Sequence, residues 1–477
     1  MQRPQYENPL SARYASPEML QLFSSEYKFR TWRRLWIALA KGEKMLGLPI
    51  SDEQIQELES YRDSINIETA IIKEREIRHD VMAHVYAYGE QCPKAKSIIH
   101  LGATSAYVGD NTDLIIMKEG LEILSEKMLR LMDKMSVFCM RYKEVPTLGF
   151  THFQPAQLTT VGKRGTLWLY DVLMDFENIH HQLTRIKFRG VKGTTGTQAS
   201  FLKLFDGDHE KVEALDQSVA EMMGFTDRIP VTGQTYTRKI DFEVLSVLSG
   251  MAQSMHKLTN DIRLLQHLKE IEEPFETNQV GSSAMAYKRN PMRCERIASL
   301  SRWVISLHQN TAMTHSTQWF ERTLDDSANR RLCIPESFLA IDAVLDIAIN
   351  VFSGLVVYEK MIHSHLMAEL PFMATENILM EAVKKGGDRQ ELHEQIRQHS
   401  MKAAAQVKVE GKDNDLLQRI INDPGFQLTA DDLEEIMMAD QYVGRAPEQT
   451  EAFIMNHIKP VLMRYPWKHA DNNDLTV

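Results

Sequence analysis

Apolar residues along this chain recur mostly at intervals of three and four, the spacing that gathers them on one face of a helix. The clearest run covers about residues 238–269, where Ile240, Val244, Leu248, Met251, Met255, Leu258, Ile262 and Leu265 form one stripe with no proline in it. Such a stripe belongs to a helix packed in a bundle. Gly250 falls inside it and is tolerated at a cost of about 1 kcal/mol. A second run, about 335–366, carries Phe338, Ile341, Leu345, Ile349, Phe352, Leu355 and Val356. Others cover about 112–143, stopped before Pro146, and about 156–187. Helices of roughly thirty residues are about 45 Å long and suit an elongated bundle better than an ordinary compact domain. Strand-like alternation is scarce.

The flanks read differently. Residues 17–100 break into shorter helices, with Gly47-Leu48-Pro49 as a stop and Ser51 to Gln54 as a capping box. Beyond about 365 the segments are again short, punctuated by Gly386-Gly387, Asp423-Pro424-Gly425 and Arg445-Ala446-Pro447. The pattern predicts an all-α protein in three parts: an N-terminal helical domain (1–111), a central long-helix bundle (112–364) and a C-terminal helical domain (365–477).

Composition narrows the function classes. Hydrophobic content of 43% and charged content of 25% are those of an ordinary globular protein. No run of about eighteen apolar residues exists to span a membrane, and the N-terminal residues lack an apolar signal core, so a cytoplasmic location is expected. Cys92, Cys139, Cys294 and Cys333 are scattered, which predicts reduced thiols rather than a disulfide frame or a zinc site. A net charge of −10 argues against a protein that coats nucleic acid. An anionic substrate would need local basic clusters.

Five stretches supply candidates. The first, Gly281 to Pro291, packs a glycine, two hydroxyls and two cations before a helix-starting proline, with Asn290 as the expected cap. That mix suits a mobile loop closing over an anionic substrate, with Ser282 placed for proton chemistry, and the positive end of the next helix would favour an anion. The second, Thr147 to Gln157, places His152 in a turn. Pro155 keeps Gln154 extended and opens the following helix, whose field would disfavour imidazolium unless a carboxylate such as Glu295 countered it. In the third, Arg78 to His84, the two histidines are five apart and do not share a helix face as a zinc pair would. Arg78 and His79 could bind a phosphate, although on the residues alone a solvated charged helix face is the preferred reading. The fourth, His100 to Ser105, offers paired hydroxyls for a carboxylate, while Gly109 to Asp113 reads as a helix start. Lys192 to Gln198 suits either an anion-binding nest or a surface loop. The fifth, Glu321 to Arg331, holds three arginines and a serine, fit for a phosphate or for a surface salt-bridge cluster.

The first stretch closely resembles the G-S-S-x-M-P-x-K-x-N loop of the fumarase/aspartase superfamily, and the five stretches stand in that superfamily's order over nearly the whole chain. Within it, Ser11 to Met19, Arg78 to His84, Val231 to Tyr236 and Glu321 to Arg331 resemble the adenylosuccinate lyase family of the eukaryotic type. The resemblance implies elimination of fumarate from adenylosuccinate and SAICAR without metal or redox cofactor. It implies a homotetramer with a twenty-helix core and active sites shared between subunits.

Residue by residue, His152 matches the general acid, Ser282 the base and Glu295 the acidic partner of the histidine. Lys288 and neighbouring N–H groups would activate Ser282. Arg13, Tyr14, Arg78, His79, Asp80, Arg322, Ser327 and Arg331 match nucleotide-binding positions. Thr104, Ser105, Gln234, Lys288 and Asn290 match positions around the succinyl group and the loop, and Arg296 another binding position. One position departs: the family's loop proline is Ala286 here, which would loosen the ordered loop by roughly 0.4–1 kcal/mol. The rival readings are another fumarate-releasing lyase, such as argininosuccinate lyase, and a non-catalytic structural protein like the lyase-derived lens crystallins.

Overall fold

The structure, a computed structural model, describes residues 6–467 except residue 277. Its centre is five long helices, numbered here α1 (Ser105–Arg141), α2 (Val161–Arg185), α3 (Lys239–His267), α4 (Met292–Ser316) and α5 (Asp326–Gly354). Helix α3 packs on α2, α4 and α5, and α1 packs on α2 and α5. The α3 stripe from Val244 to Leu265 lies in the core, with Ile240 at its edge. The all-α architecture is as expected. Among the described residues, strands are limited to two short antiparallel pairs: β1 (Pro146–Thr151) with β2 (Gln154–Thr160), and β3 (Ile271–Glu272) with β4 (Val356–Val357). No helix among them is long and apolar enough to cross a membrane.

Three of the four long runs differ at their ends from the periodicity reading, each for a local reason. The run read from 112 starts at Ser105, so Gly109 to Asp113 lie inside α1 and do not begin it. There Asp110 and Asn111 are buried and hold neighbouring segments: Asp110 accepts from the Tyr236 N–H (2.8 Å), and Asn111 donates to the Gly190 carbonyl (3.2 Å). The run read from 156 begins as strand β2. The helix starts only at Val161, where the Thr160 hydroxyl accepts from the Lys163 N–H at 3.1 Å. The run read from Pro335 begins at Asp326, because Asp326 and Arg330 are drawn into buried ion pairs with Arg238 and Asp241 (2.7 and 2.6 Å). It ends at Gly354, and after β4 a separate helix, Glu359–Met373, follows.

In the N-terminal flank the predicted stop and capping box both form. Gly47 takes φ +100°, and Ser51 and Gln54 cap each other's backbone N–H groups. Two hydrophobic cores result among the described residues. The larger joins the N-terminal helices to the bundle, together with Ile454 and Ile458 near the C-terminus. The smaller lies among residues 366–437 and includes Leu148 and Leu158 from the two strands of the β1–β2 hairpin. The hairpin root is therefore gripped by the C-terminal helices while its tip projects freely.

One buried group makes stability depend on pH. Glu43, on the helix Ser25–Met45, is fully buried, and neither carboxyl oxygen has a hydrogen-bond partner among the described residues. Burial raises its pKa from 4.5 to about 8. The folded chain keeps a proton that the unfolded chain gives up, so this group's contribution is fully present below about pH 4.5 and is lost as pH rises toward 8. Glu43→Gln should stabilise the protein by roughly 2–3 kcal/mol at pH 7, with a gain in thermal midpoint that grows between pH 5 and pH 8. A gain of the same size at both pH values would show that Glu43 does not titrate in this way.

Candidate active site

The loop 281–290 lies in the connection from β3 to α4, just before α4, and is closed at its neck. A Cβ on Gly281 would overlap the Lys288 carbonyl oxygen, so only glycine lets the two strands of the neck meet. The Asn290 amide donates to the Gly281 carbonyl (2.7 Å), and Gln266, at the end of α3, donates to the Arg289 carbonyl (3.1 Å). Asn290 thus ties the loop shut and does not cap α4. The N-terminus of α4 is occupied instead by the buried Glu273 carboxylate, which accepts from the N–H groups of Arg293 and Cys294 (3.0 and 2.9 Å). The positive end of the helix, read as a seat for substrate, is already neutralised by the chain itself.

Above this base Ser282 is half-buried, and Ser283 to Arg289 are exposed. The Ser282 Oγ accepts from the N–H groups of Ala284 (3.3 Å) and Met285 (3.1 Å). Donors aimed at an oxygen favour its anionic form, so the loop backbone supplies part of the activation that a serine base requires. The Lys288 N–H closes a turn onto the Met285 carbonyl (3.0 Å), which puts Ala286 at the second position of that turn. Proline is favoured there. Ala286→Pro is accordingly expected to stiffen the loop by about 0.4–1 kcal/mol, seen as slower proteolytic cutting within 281–290 and a lower KM. Faster cutting would show that the alanine conformation is one proline cannot adopt.

His152 and Phe153 are the two central residues of the hairpin turn, between the paired residues Thr151 and Gln154, and both have positive φ (54° and 56°). A two-residue turn of this kind normally uses Asn-Gly. Two side-chain-bearing residues in the left-handed region cost about 1 kcal/mol or more each, and the return is an imidazole held at an exposed tip. This corrects the reading of Pro155 as a helix opener. Pro155 lies in β2, the next helix begins at Val161, and His152 is outside that helix's field. Gly149 makes the accompanying bulge, where a Cβ would overlap the Gln157 carbonyl. Arg164, on α2, donates to the Leu148 carbonyl (2.5 Å) and lies over the Phe150 ring, bracing the hairpin from behind. Glu295 is exposed near the start of α4, and no hydrogen bond joins it to His152 among the described residues.

At the other end of the bundle four of the predicted stretches meet. The Gln234 side chain donates to the Thr104 hydroxyl (3.3 Å) and accepts from Arg322 (2.6 Å), while its N–H donates to the Glu321 carbonyl (3.0 Å). Thr104 precedes α1, and Ser105 is the first residue of that helix. Arg331 pairs with Asp80 (3.4 Å), bringing in the turn Arg78-His79-Asp80. Arg78 is exposed with φ 56°, and His79 caps the helix Asp80–Gln91 through Nδ1, which accepts from the Met82 N–H (3.4 Å). His84 points elsewhere: it is buried and stacked on Phe29.

Beneath lies a buried ionic network that the sequence reading missed. Arg238 pairs with Asp110 and Asp326, and Arg330 with Asp113 and Asp241. Burial opposes the charge on Arg330, but Asp241, Tyr236 and Asp113 hold its pKa well above the ordinary arginine value. The pairs fix the start of α5, where Arg322, Ser327 and Arg331 flank them. Lys192 belongs to the same kind of buried pairing, with Asp216 at 2.6 Å, and is no free cation for an anion nest.

Arg13 and Tyr14 lie in a single helical turn beside α5, and Arg296, near the start of α4, stands 5.5 Å from the Tyr14 ring. The predicted residues thus fall into two groups. Helix α3 runs from Arg238, beside Gln234, to Gln266, which anchors the loop, a separation of about 42 Å at 1.5 Å per residue. The hairpin leaves the loop end, as the pair Trp168–Asp261 (2.7 Å) between α2 and α3 fixes. Within one chain, Ser282 and His152 are far from Gln234, Arg322 and Arg331.

Residues 13–306 match the family described as "Lyase", and residues 371–453 the family described as "Adenylosuccinate lyase C-terminus". The adenylosuccinate lyase of Schizosaccharomyces pombe is 55% identical over 460 residues, covering 96% of this chain and 95% of that one. That of Saccharomyces cerevisiae is 52% identical over 468 residues, 97% of each. Among solved structures, the 3-carboxy-cis,cis-muconate lactonizing enzyme of Pseudomonas putida superposes with a TM-score of 0.81 at 20% identity, over 95% of this chain and 99% of that one. A fumarate lyase from Mesorhizobium sp. BNC1 gives 0.78, also at 20% identity, over 96% and 100%. These two share the fold.

Proposed function

Because the chain belongs to the adenylosuccinate lyase family, we propose that it eliminates fumarate from adenylosuccinate, leaving AMP, and from SAICAR, leaving AICAR. It is a C–N lyase of purine nucleotide biosynthesis. Its similarity to named adenylosuccinate lyases over almost their full length favours this reading over argininosuccinate lyase or a crystallin-like structural protein.

Elimination requires a base for the proton next to a carboxylate, donors for the charge that builds on that carboxylate, and an acid for the departing nitrogen. The observation that carries the chemistry is the Ser282 hydroxyl, held by two N–H groups in a loop that also presents Lys288. Ser282 takes the carbon-bound proton. Lys288 and Asn290, with Thr104, Ser105 and Gln234, hold the succinyl carboxylates. His152 gives a proton to the nitrogen as the C–N bond breaks, with Glu295 orienting the imidazole. Arg13, Tyr14, Arg78, His79, Asp80, Arg296, Arg322, Ser327 and Arg331 bind the nucleotide. The scheme calls on no metal or redox cofactor.

A nucleotide-sized substrate cannot span the roughly 42 Å between the two groups of residues. We therefore assign the site to an assembly, a homotetramer in which bundles pack so that the loop end of one chain meets the Gln234 end of another. Exposed apolar side chains along the bundle, among them Leu167, Tyr170 and Met174 on α2 and Trp303 and Met313 on α4, suit such packing. A three-part division and a cytoplasmic location belong to the same proposal, with the 111/112 and 364/365 boundaries falling inside α1 and inside the helix Glu359–Met373.

The test is ultraviolet-monitored cleavage by the purified protein. Adenylosuccinate should be turned over and argininosuccinate should not. Turnover of argininosuccinate alone would replace the assignment, and absence of both activities in a folded assembly would remove it.

A further inference from the structure

Lys28, on the helix Ser25–Met45, has no part in the residues assigned so far. Its ammonium stands 4.9 Å from the Trp32 ring centroid and 5.6 Å from that of Phe29. Phe29 stacks on His84 at 3.8 Å, in the helix that His79 caps. Lys28 thus lies beside the helix that follows Arg78 and His79, where the charges of Asp113, Arg331, Asp80 and Glu74 reach it.

Of the neighbouring cations, Arg330 is taken up by Asp241 and Asp113, and Arg331 shares an exposed 3.4 Å pair with Asp80 that leaves its other donors available. Lys28 has no ion pair or hydrogen bond among the described residues, and its stem is half-buried on aromatic rings. The aromatic faces and more distant carboxylates compensate part of the water this lysine has given up, but no hydrogen-bond acceptor replaces it among the described residues, which leaves the ammonium open to an anion. Burial accordingly lowers its pKa below the ordinary lysine value, and an anion arriving at the ammonium would restore it.

We propose that Lys28 is a further phosphate-binding residue of this end of the bundle, its ammonium meeting the nucleotide phosphate beside Arg331 and the Arg78-His79 turn. The proposal deepens the reading above, that this end takes the nucleotide, and rests on it. Lysine serves here as a compact point charge anchored by its stem, where the arginines supply forked donors.

The experiment compares AMP with adenosine, which differ only by the phosphate, as ligands of the full-length assembled protein by calorimetry. Lys28→Met keeps the apolar stem on Trp32, and Lys28→Gln provides a second neutral variant should the first fail to assemble. Loss of a charge-assisted contact should weaken AMP about 10- to 100-fold and leave adenosine within about 2-fold. Lys28→Arg should recover most of the loss, and the neutral variants should raise KM for adenylosuccinate with little change in kcat. Unchanged AMP affinity, or an equal loss for both ligands, would overturn the role of Lys28. A wild-type protein that binds AMP no better than adenosine would overturn the nucleotide reading of the whole end, a result visible before any variant is made.

Discussion

Ser282→Ala is expected to lower kcat for adenylosuccinate by about 10³-fold or more while leaving assembly and AMP binding intact. The hydroxyl makes no contact outside its own loop: it accepts from the Ala284 and Met285 N–H groups and from nothing else among the described residues. Losing two such bonds in a largely exposed loop costs about 0.5–1.5 kcal/mol each, at most about 10²-fold if all of it fell on loop closure. Loss of a positioned base contributes a further 10²- to 10⁴-fold. The neighbouring Ser283 is exposed, and Ser283→Ala should stay within a few-fold of wild type. The informative pattern is a collapse of kcat in Ser282→Ala with the AMP dissociation constant unchanged. A variant retaining a tenth or more of wild-type kcat would mean that another group takes the proton.

What was legible in the sequence follows the range of the interactions involved. The α3 stripe and the Ser51–Gln54 capping box are local, and both stand where the sequence puts them. The hairpin was not legible. Its turn is His-Phe where the usual signal is Asn-Gly, and the alternation of β2 is short enough to be absorbed into the helical period that follows it. The start of α5 was missed because Asp326 and Arg330 are polar, and only their pairing with Arg238 and Asp241, far away in sequence, makes them core residues. A signal for that was present: Asp241 falls at the beginning of an apolar stripe, where a charge is tolerated only with a partner. Glu273 gave no signal at all, since one acid among Glu270, Glu272, Glu273 and Glu276 is singled out only by where α4 begins. The candidate site was legible as a set of motifs but not as two groups at opposite ends of a long helix, because that separation is a property of the fold.

The same separation leads to the second large effect. If each site joins the loop end of one chain to the Gln234 end of another, two inactive proteins should restore each other. Ser282→Ala removes the base at one end. His79→Ala combined with Arg331→Ala removes two of the proposed phosphate contacts at the other, both on exposed side chains that leave the buried Arg238–Asp110 and Arg330–Asp241 pairs in place. After dissociation and reassembly of equal amounts, half of the loops and half of the recognition ends are intact. A site drawing on different chains finds both intact in about one case in four, so activity should return to about a quarter of the wild-type value from a starting level near zero. If each chain built its own site, every site would carry one defect or the other, and mixing would return nothing. Fluorescence transfer between labelled chains establishes that subunits have exchanged, and exchange without recovery would place both functions in one chain, against the roughly 42 Å that α3 puts between them. The recovered fraction also reports how a site is divided. Pairing Ser282→Ala with His152→Ala in the same way asks whether the hairpin and the loop that leave one end of the bundle serve the same site, with none recovered, or two different ones, with about a quarter recovered.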